Sequence, residues 1–238
     1  MQIRSFRILI TFFMLSSTAL AAGEFNSIDE LGNWISHYYL NPEPSRICKA
    51  IQYFSQSSAY QTNSRAPTVF FFSRVLKENN SLLEECFSEI SLSSNEDSKA
   101  VFLNALWYID SQESRSLLKQ AQEKWTSKRL QEIIVRLLES PVQDLTTVVI
   151  DKSVILDMLW TAFFATGDDW PIRRLISVIH LEKDGVVEEI ALGGAADWSL
   201  DANSREHKKV CQICKAELPT SSGPTKELLS KIVLACSK

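Results

Sequence analysis

Apolar side chains return every three or four positions along most of this chain, and that spacing constrains its fold more than any other feature. Leu130, Ile133, Ile134, Leu137 and Leu138 form one clean stripe, and Val101, Phe102, Ala105, Leu106 and Ile109 form another. On a helix of 3.6 residues per turn such positions share one face. The pattern recurs at Ile28, Leu31, Trp34, Ile35 and Tyr38, at Ile47, Cys48, Ile51 and Phe54, and onward to the C-terminus. The chain is therefore expected to be all-α. Only 7 glycines and 7 prolines serve 238 residues, too few turn formers for a sandwich of short strands, while 45% hydrophobic residues supply an ample core.

Local signals set the expected helix limits. Ser27 with Glu30, and Asp110 with Glu113, read as capping boxes. Pro42 and Pro44 break the first helix, Pro67 opens a third, and Ser140-Pro141 ends the stripe that begins at Leu130. The β-branched run Leu145–Ile150 has no partner strand in view and reads as an extended connector. From Ser153 to Thr166 nearly every residue is apolar. The exceptions, Ser153, Asp157 and Thr161, fall four apart on one narrow stripe. A helix so apolar is buried on several sides, and it is expected at the centre of the C-terminal half. Gly167 should end it in a left-handed cap, with Asp168 or Asp169 capping the next helix.

A helix over Val186 to about Asn203 carries Gly193-Gly194 in its interior. Each glycine costs about 1 kcal/mol relative to alanine, which is tolerated where backbones approach closely. Two more helices are expected near His207–Leu218 and Pro224–Cys236. The expected architecture is stacked antiparallel helix pairs, either an α-solenoid of tetratricopeptide-like type or an irregular helical array. Pairs recur at roughly 30 to 35 residues, but the Trp, Gly, Tyr and Ala positions that specify a tetratricopeptide unit are not found. Residues 22–238 are read as a single helical domain, with room for two subdomains meeting near 141–152.

The first residues carry a different message. Arg4 and Arg7 precede the apolar run Ile8–Leu15, and Ala19-Leu20-Ala21 follows. That order predicts a secretory signal peptide over 1–21, cut after Ala21. The run falls short of the about 20 apolar residues of a membrane span. No cysteine follows directly to take a lipid. The expected location is outside the cytosol, periplasmic or secreted, with no stable membrane insertion once the leader is removed. The full chain has a net charge of −4 and lacks a basic cluster, which excludes a phosphate-tracking nucleic-acid binder and a partner of anionic membrane surfaces.

The segments Leu156–Asp168, Pro171–Ile176 and Ala196–Asn203, with His207 beyond, resemble an uncharacterised group of exported bacterial all-helical proteins. The resemblance covers about a quarter of the chain, all in the C-terminal half. It implies a helical, exported, bacterial protein and carries over no catalytic residue. Within these segments Trp160, Phe163 and Phe164 read as core, and Trp198 as a second core anchor.

Chemistry is harder to find. Cys48, Cys86, Cys211, Cys214 and Cys236 lie on or beside apolar faces and read as structural. In an oxidising compartment some should pair, and five cysteines leave at least one over. Because the last two helices should be antiparallel, Cys236 is expected to join Cys214 or Cys211. Cys211-Gln-Ile-Cys214 is also a CxxC, with His207 four residues before it. A thiol-redox or metal-binding role for Cys211, Cys214 and His207 is the alternative reading. Against it, the motif lies inside a helix and has no second CxxC, and no fourth metal ligand is evident. His37 and His180 have no metal-type partner at helical spacing. Hydrolase elbows, HExxH, phosphate loops and dinucleotide fingerprints are absent. No catalytic residue, cofactor or metal ligand is assigned, and the sequence reads as a non-enzymatic protein-interaction or scaffold module with an unidentified protein partner.

Overall fold

The computed structural model describes residues 24–184 and 186–237. The expected leader, 1–21, lies outside them. Among these described residues thirteen α-helices follow one another: α1 (Ile28–His37), α2 (Ile47–Gln56), α3 (Arg65–Glu78), α4 (Ser81–Leu92), α5 (Glu96–Ile109), α6 (Gln112–Lys124), α7 (Lys128–Glu139), α8 (Ser153–Thr166), α9 (Trp170–Ile176), α10 (Leu181–Asp184), α11 (Val187–Glu206), α12 (Lys208–Glu217) and α13 (Gly223–Cys236). Short 3₁₀ turns, such as Tyr38–Leu40 after α1, join some of them, and there is no strand among the described residues. The class is all-α.

Two hydrophobic clusters divide the chain near the 141–152 connector. The first gathers side chains from Phe25 to Leu137, the second from Leu145 to Ile232. They interlock: α3 lends Phe70 to the second cluster, and α8 lends Ala165 to the first. Helix α8 packs on α3 and α1 as well as on α9, so it is central to the whole molecule and not only to the C-terminal half. In a solenoid each repeat touches only its neighbours in sequence. Contacts of α8 with α1 and α3 break that rule, so the helices form an irregular array.

Several helix limits differ from the sequence reading for clear local reasons. Helix α3 begins at Arg65, and Pro67 sits within its first turn, where a backbone N–H would have no partner in the helix. Asp110 does not cap α6. It closes α5 in the left-handed region at φ 52°, a conformation Asp tolerates, and Ser111 caps α6 by accepting from Ser114 N at 3.2 Å. Ser27 caps α1 as expected, accepting from Glu30 N at 3.0 Å, but the Glu30 carboxylate reaches one residue further back, to Asn26 N at 2.9 Å. Gly167 ends α8 at φ 71°, and Asp169 occupies the cap position of α9 but pairs its carboxylate with Lys209 and Arg173 instead of accepting a capping hydrogen bond.

The 141–150 segment is a connector. Asp144 organises it, accepting from Thr146 N at 2.9 Å, while Leu145 and Ile150 turn into the second cluster. Gly193 explains its own helix cost: a Cβ there would lie 2.2 Å from Glu182 N, because α10 runs directly against α11. Disulfides join Cys48 to Cys86, between α2 and α4, and Cys211 to Cys236, between α12 and α13, with Cα separations of 5.2 and 6.0 Å. Cys236 thus takes Cys211 of its two expected partners, and Cys214 remains a buried thiol.

Candidate functional site

An open groove of about 610 Å³ lies between α1, the start of α3, α8 and α11. Each wall follows from a helix face the core leaves over. Helix α1 buries Leu31 and Trp34 and turns Ile28, Gly32 and Ile35 toward the groove. Helix α8 buries most of its circumference, and the polar stripe noted in sequence supplies Asp157 and Thr161 to the floor, beside Trp160 and Phe164. Trp160 is fixed there by donating its indole N–H to Ser199 Oγ at 3.1 Å.

Trp198 corrects the sequence reading. It is 73% exposed and stands on the groove's rim, so it anchors no core. Asp157 is the only ionisable side chain in the groove's lining. Burial raises its pKa above the usual aspartate value, and no neighbouring cation or hydrogen bond pulls it back down. A second cavity of about 570 Å³ shares Asp157 and Asn63 with the groove and adds Arg65 and Lys152. The two make one trough, apolar at one end and polar at the other.

At the apolar end the groove approaches a histidine cluster. His37 closes α1, and His207 sits in extended backbone at the junction of α11 and α12. His37 Nε2 lies 3.4 Å from Glu206 Oε1, and its Nδ1 lies 2.9 Å from Ser36 Oγ. His207 is 1% exposed among the rings of Tyr39, Phe163 and Phe164. Tyr39 Oη is 3.3 Å from His207 Nδ1, and His207 Nε2 is buried without a partner. Burial lowers the His207 pKa, as does the neighbouring His37, and the Glu206 carboxylate opposes both. Donor atoms of His37, Glu206 and His207 all lie within 4.8 Å of one another, the one such His, Cys, Asp or Glu grouping among the described residues.

The sequence set Cys211, Cys214 and His207 is not brought together as one site. Cys211 is bonded to Cys236, and Cys214 points into the second cluster with its thiol pushed up to about 12 by burial. His207 meets His37 and Glu206 instead. Nothing in the local spacing of His37 could have revealed that partnership across the fold. No helix among the described residues is long and apolar enough to cross a membrane. Compared with known proteins, the chain matches no family model, no curated protein and no solved structure.

Proposed function

We propose that this protein is an exported, non-enzymatic interaction module, and that its partner is a polypeptide whose apolar segment lies in the groove with a Lys or Arg opposite Asp157. The observation that carries the reading is Trp198. A tryptophan 73% exposed beside an apolar groove is the residue type that most often dominates binding energy at protein interfaces. Ile28, also exposed, faces it from the α1 side. Asp157 supplies the charge preference: it is the one ionisable side chain in the groove's lining, it is exposed to an incoming partner, and no cation or hydrogen bond lowers its pKa. Export is supported by the leader signals and by the two disulfides, which persist in oxidising compartments. Membership in a bacterial exported group is part of the same proposal and rests on the segments quoted above. A thiol-redox role has against it the occupied Cys211 and the deeply buried Cys214.

Peptide-display selection against the folded protein tests the reading. Enriched peptides should carry large apolar side chains with an adjacent Lys or Arg. Trp198→Ala should weaken them by about 30-fold, the size expected when an aromatic hot spot is truncated. Asp157→Lys should abolish binding of the basic peptides, and Leu92→Ala, at an exposed apolar residue on α4, should change nothing. Peptides that bind all three variants equally would overturn it. N-terminal sequencing of the native product should begin at Ala22.

A further inference from the structure

We propose that His37, Glu206 and His207 form a binding site for a divalent transition-metal ion of the zinc class, distinct from the polypeptide groove. The donor set is two imidazole nitrogens and one carboxylate oxygen, with donor atoms within 4.8 Å of one another. That set, with coordination positions left open for water or another ligand, suits zinc and its borderline neighbours and does not suit calcium or magnesium, which want an all-oxygen shell.

A second, independent observation points to a ligand at this place. His207 is 1% exposed, and its Nε2 has no hydrogen-bond partner. A buried polar nitrogen left unpaired costs on the order of 1–3 kcal/mol, and a metal bond would remove that cost. Its other nitrogen, Nδ1, is within reach of Tyr39 Oη at 3.3 Å. Nδ1–H donating to that oxygen leaves the Nε2 lone pair available, the arrangement in which an outer partner sets the tautomer of a metal-binding histidine. His37 repeats the logic: its Nδ1 lies 3.1 Å from the Asn33 carbonyl oxygen, a natural acceptor for Nδ1–H, which leaves Nε2 facing Glu206.

The backbone adds to the field. His37 is the last residue of α1, and Glu206 the last of α11. Two helix C-termini therefore converge on the cluster with partial negative charge, which favours a cation and is opposed by the N-terminus of α12 at His207. Access is available from one side, since the His37 and Glu206 side chains are 36% and 57% exposed while His207 forms the buried base.

Titration calorimetry of untagged mature protein, both disulfides intact, decides the matter. Zinc chloride should bind one ion per chain, with magnesium and calcium chloride giving no heat. His37→Ala and Glu206→Gln, both at partly exposed positions, should each weaken zinc by about 100-fold, and Tyr39→Phe by about tenfold. His180→Ala should leave binding unchanged. Cobalt(II) should give weak visible bands without thiolate-to-metal charge transfer. Absence of zinc binding, binding indifferent to His37→Ala and Glu206→Gln, or a cobalt spectrum with thiolate charge transfer from Cys214 would each overturn the site. None of these readouts uses a groove peptide, so failure here leaves the interaction reading untouched, and the reverse also holds.

Discussion

Adding a single methyl group to α11 should have opposite effects at adjacent positions. Alanine at either Gly193 or Gly194 removes the glycine cost of a helix interior, a gain of about 1 kcal/mol. At Gly194 nothing opposes that gain, because the new Cβ would lie 3.9 Å from its nearest neighbour, the Glu182 Cγ. At Gly193 the Cβ would lie 2.2 Å from Glu182 N and 2.7 Å from Leu181 C. Both atoms are backbone, so α10 must move as a unit. Overpacking of this kind costs about 1–3 kcal/mol, and rigid neighbours place it toward the upper end, for a net loss of about 2 kcal/mol. In a protein of this size 1 kcal/mol corresponds to roughly 2–4 °C in Tm. Gly194→Ala should therefore raise Tm by about 2–4 °C and Gly193→Ala lower it by about 4–8 °C, read by thermal and urea unfolding under identical conditions. A Gly193→Ala variant as stable as Gly194→Ala would refute the close approach of α10 to α11, and with it the explanation of why this glycine pair lies within a helix.

The cysteines give a second test. Cross-links spanning 38 and 25 residues should contribute about 4 and about 3.5 kcal/mol by loop-closure entropy. Cys48→Ala with Cys86→Ala should lower the urea midpoint accordingly, and a loss under about 1 kcal/mol would count against that cross-link. Cys214, with its thiol pushed up to about 12, should resist alkylation at pH 8 until the protein unfolds. A third test uses Asp197, whose pKa is raised to about 6 by burial, by the charge and hydrogen bond of Glu182 and by Asp201, with Lys231 opposing. A carboxyl group with a raised folded-state pKa favours the fold fully below its unfolded value near 3.8 and loses that contribution as pH rises through about 6. Asp197→Asn should flatten the stability profile between these values and stabilise the protein at pH 7 by about 1 kcal/mol, a figure reduced for solvent screening of a partly exposed group. An unchanged profile would refute the assignment.

Helix class and most helix limits were legible because they depend on neighbours three or four residues apart. The stripe at Leu130–Leu138 became α7, and Gly167 took the left-handed cap that its position announced. Asp110 was misplaced because both a cap for α6 and a left-handed terminus for α5 suit Asp, and Ser111 beside it also suits a cap. Trp198 was readable in part. The buried face of α11 runs through Leu192, Ala196 and Leu200, and at 100° per residue Trp198 falls about 200° from Ala196 and from Leu200, on the other side of the helix. The reading of Trp198 as a core anchor goes against that signal. The pairing of His37 with His207 was not legible at all, since no local pattern encodes a contact between the end of α1 and the end of α11.

The polar stripe of α8 links these observations. Ser153, Asp157 and Thr161 look like the solvent side of a buried helix when read in sequence. In the fold, Asp157 and Thr161 line a groove whose other walls come from α1, α3 and α11, and Ser153 lines the adjoining cavity. That placement forces a choice on the residues around it. Helices that closed over Asp157 completely would bury a carboxylate without a partner, at a cost of several kcal/mol. Leaving α1 and α11 apart keeps the carboxylate hydrated but strands Ile28 and Trp198 on open rims. The exposed tryptophan and the unpaired aspartate are thus one feature, and an occupant that satisfies either alone would leave the other uncompensated. That is why the expected partner combines an apolar face with a positive charge, and why a purely apolar ligand should bind Asp157→Asn more tightly than the native protein.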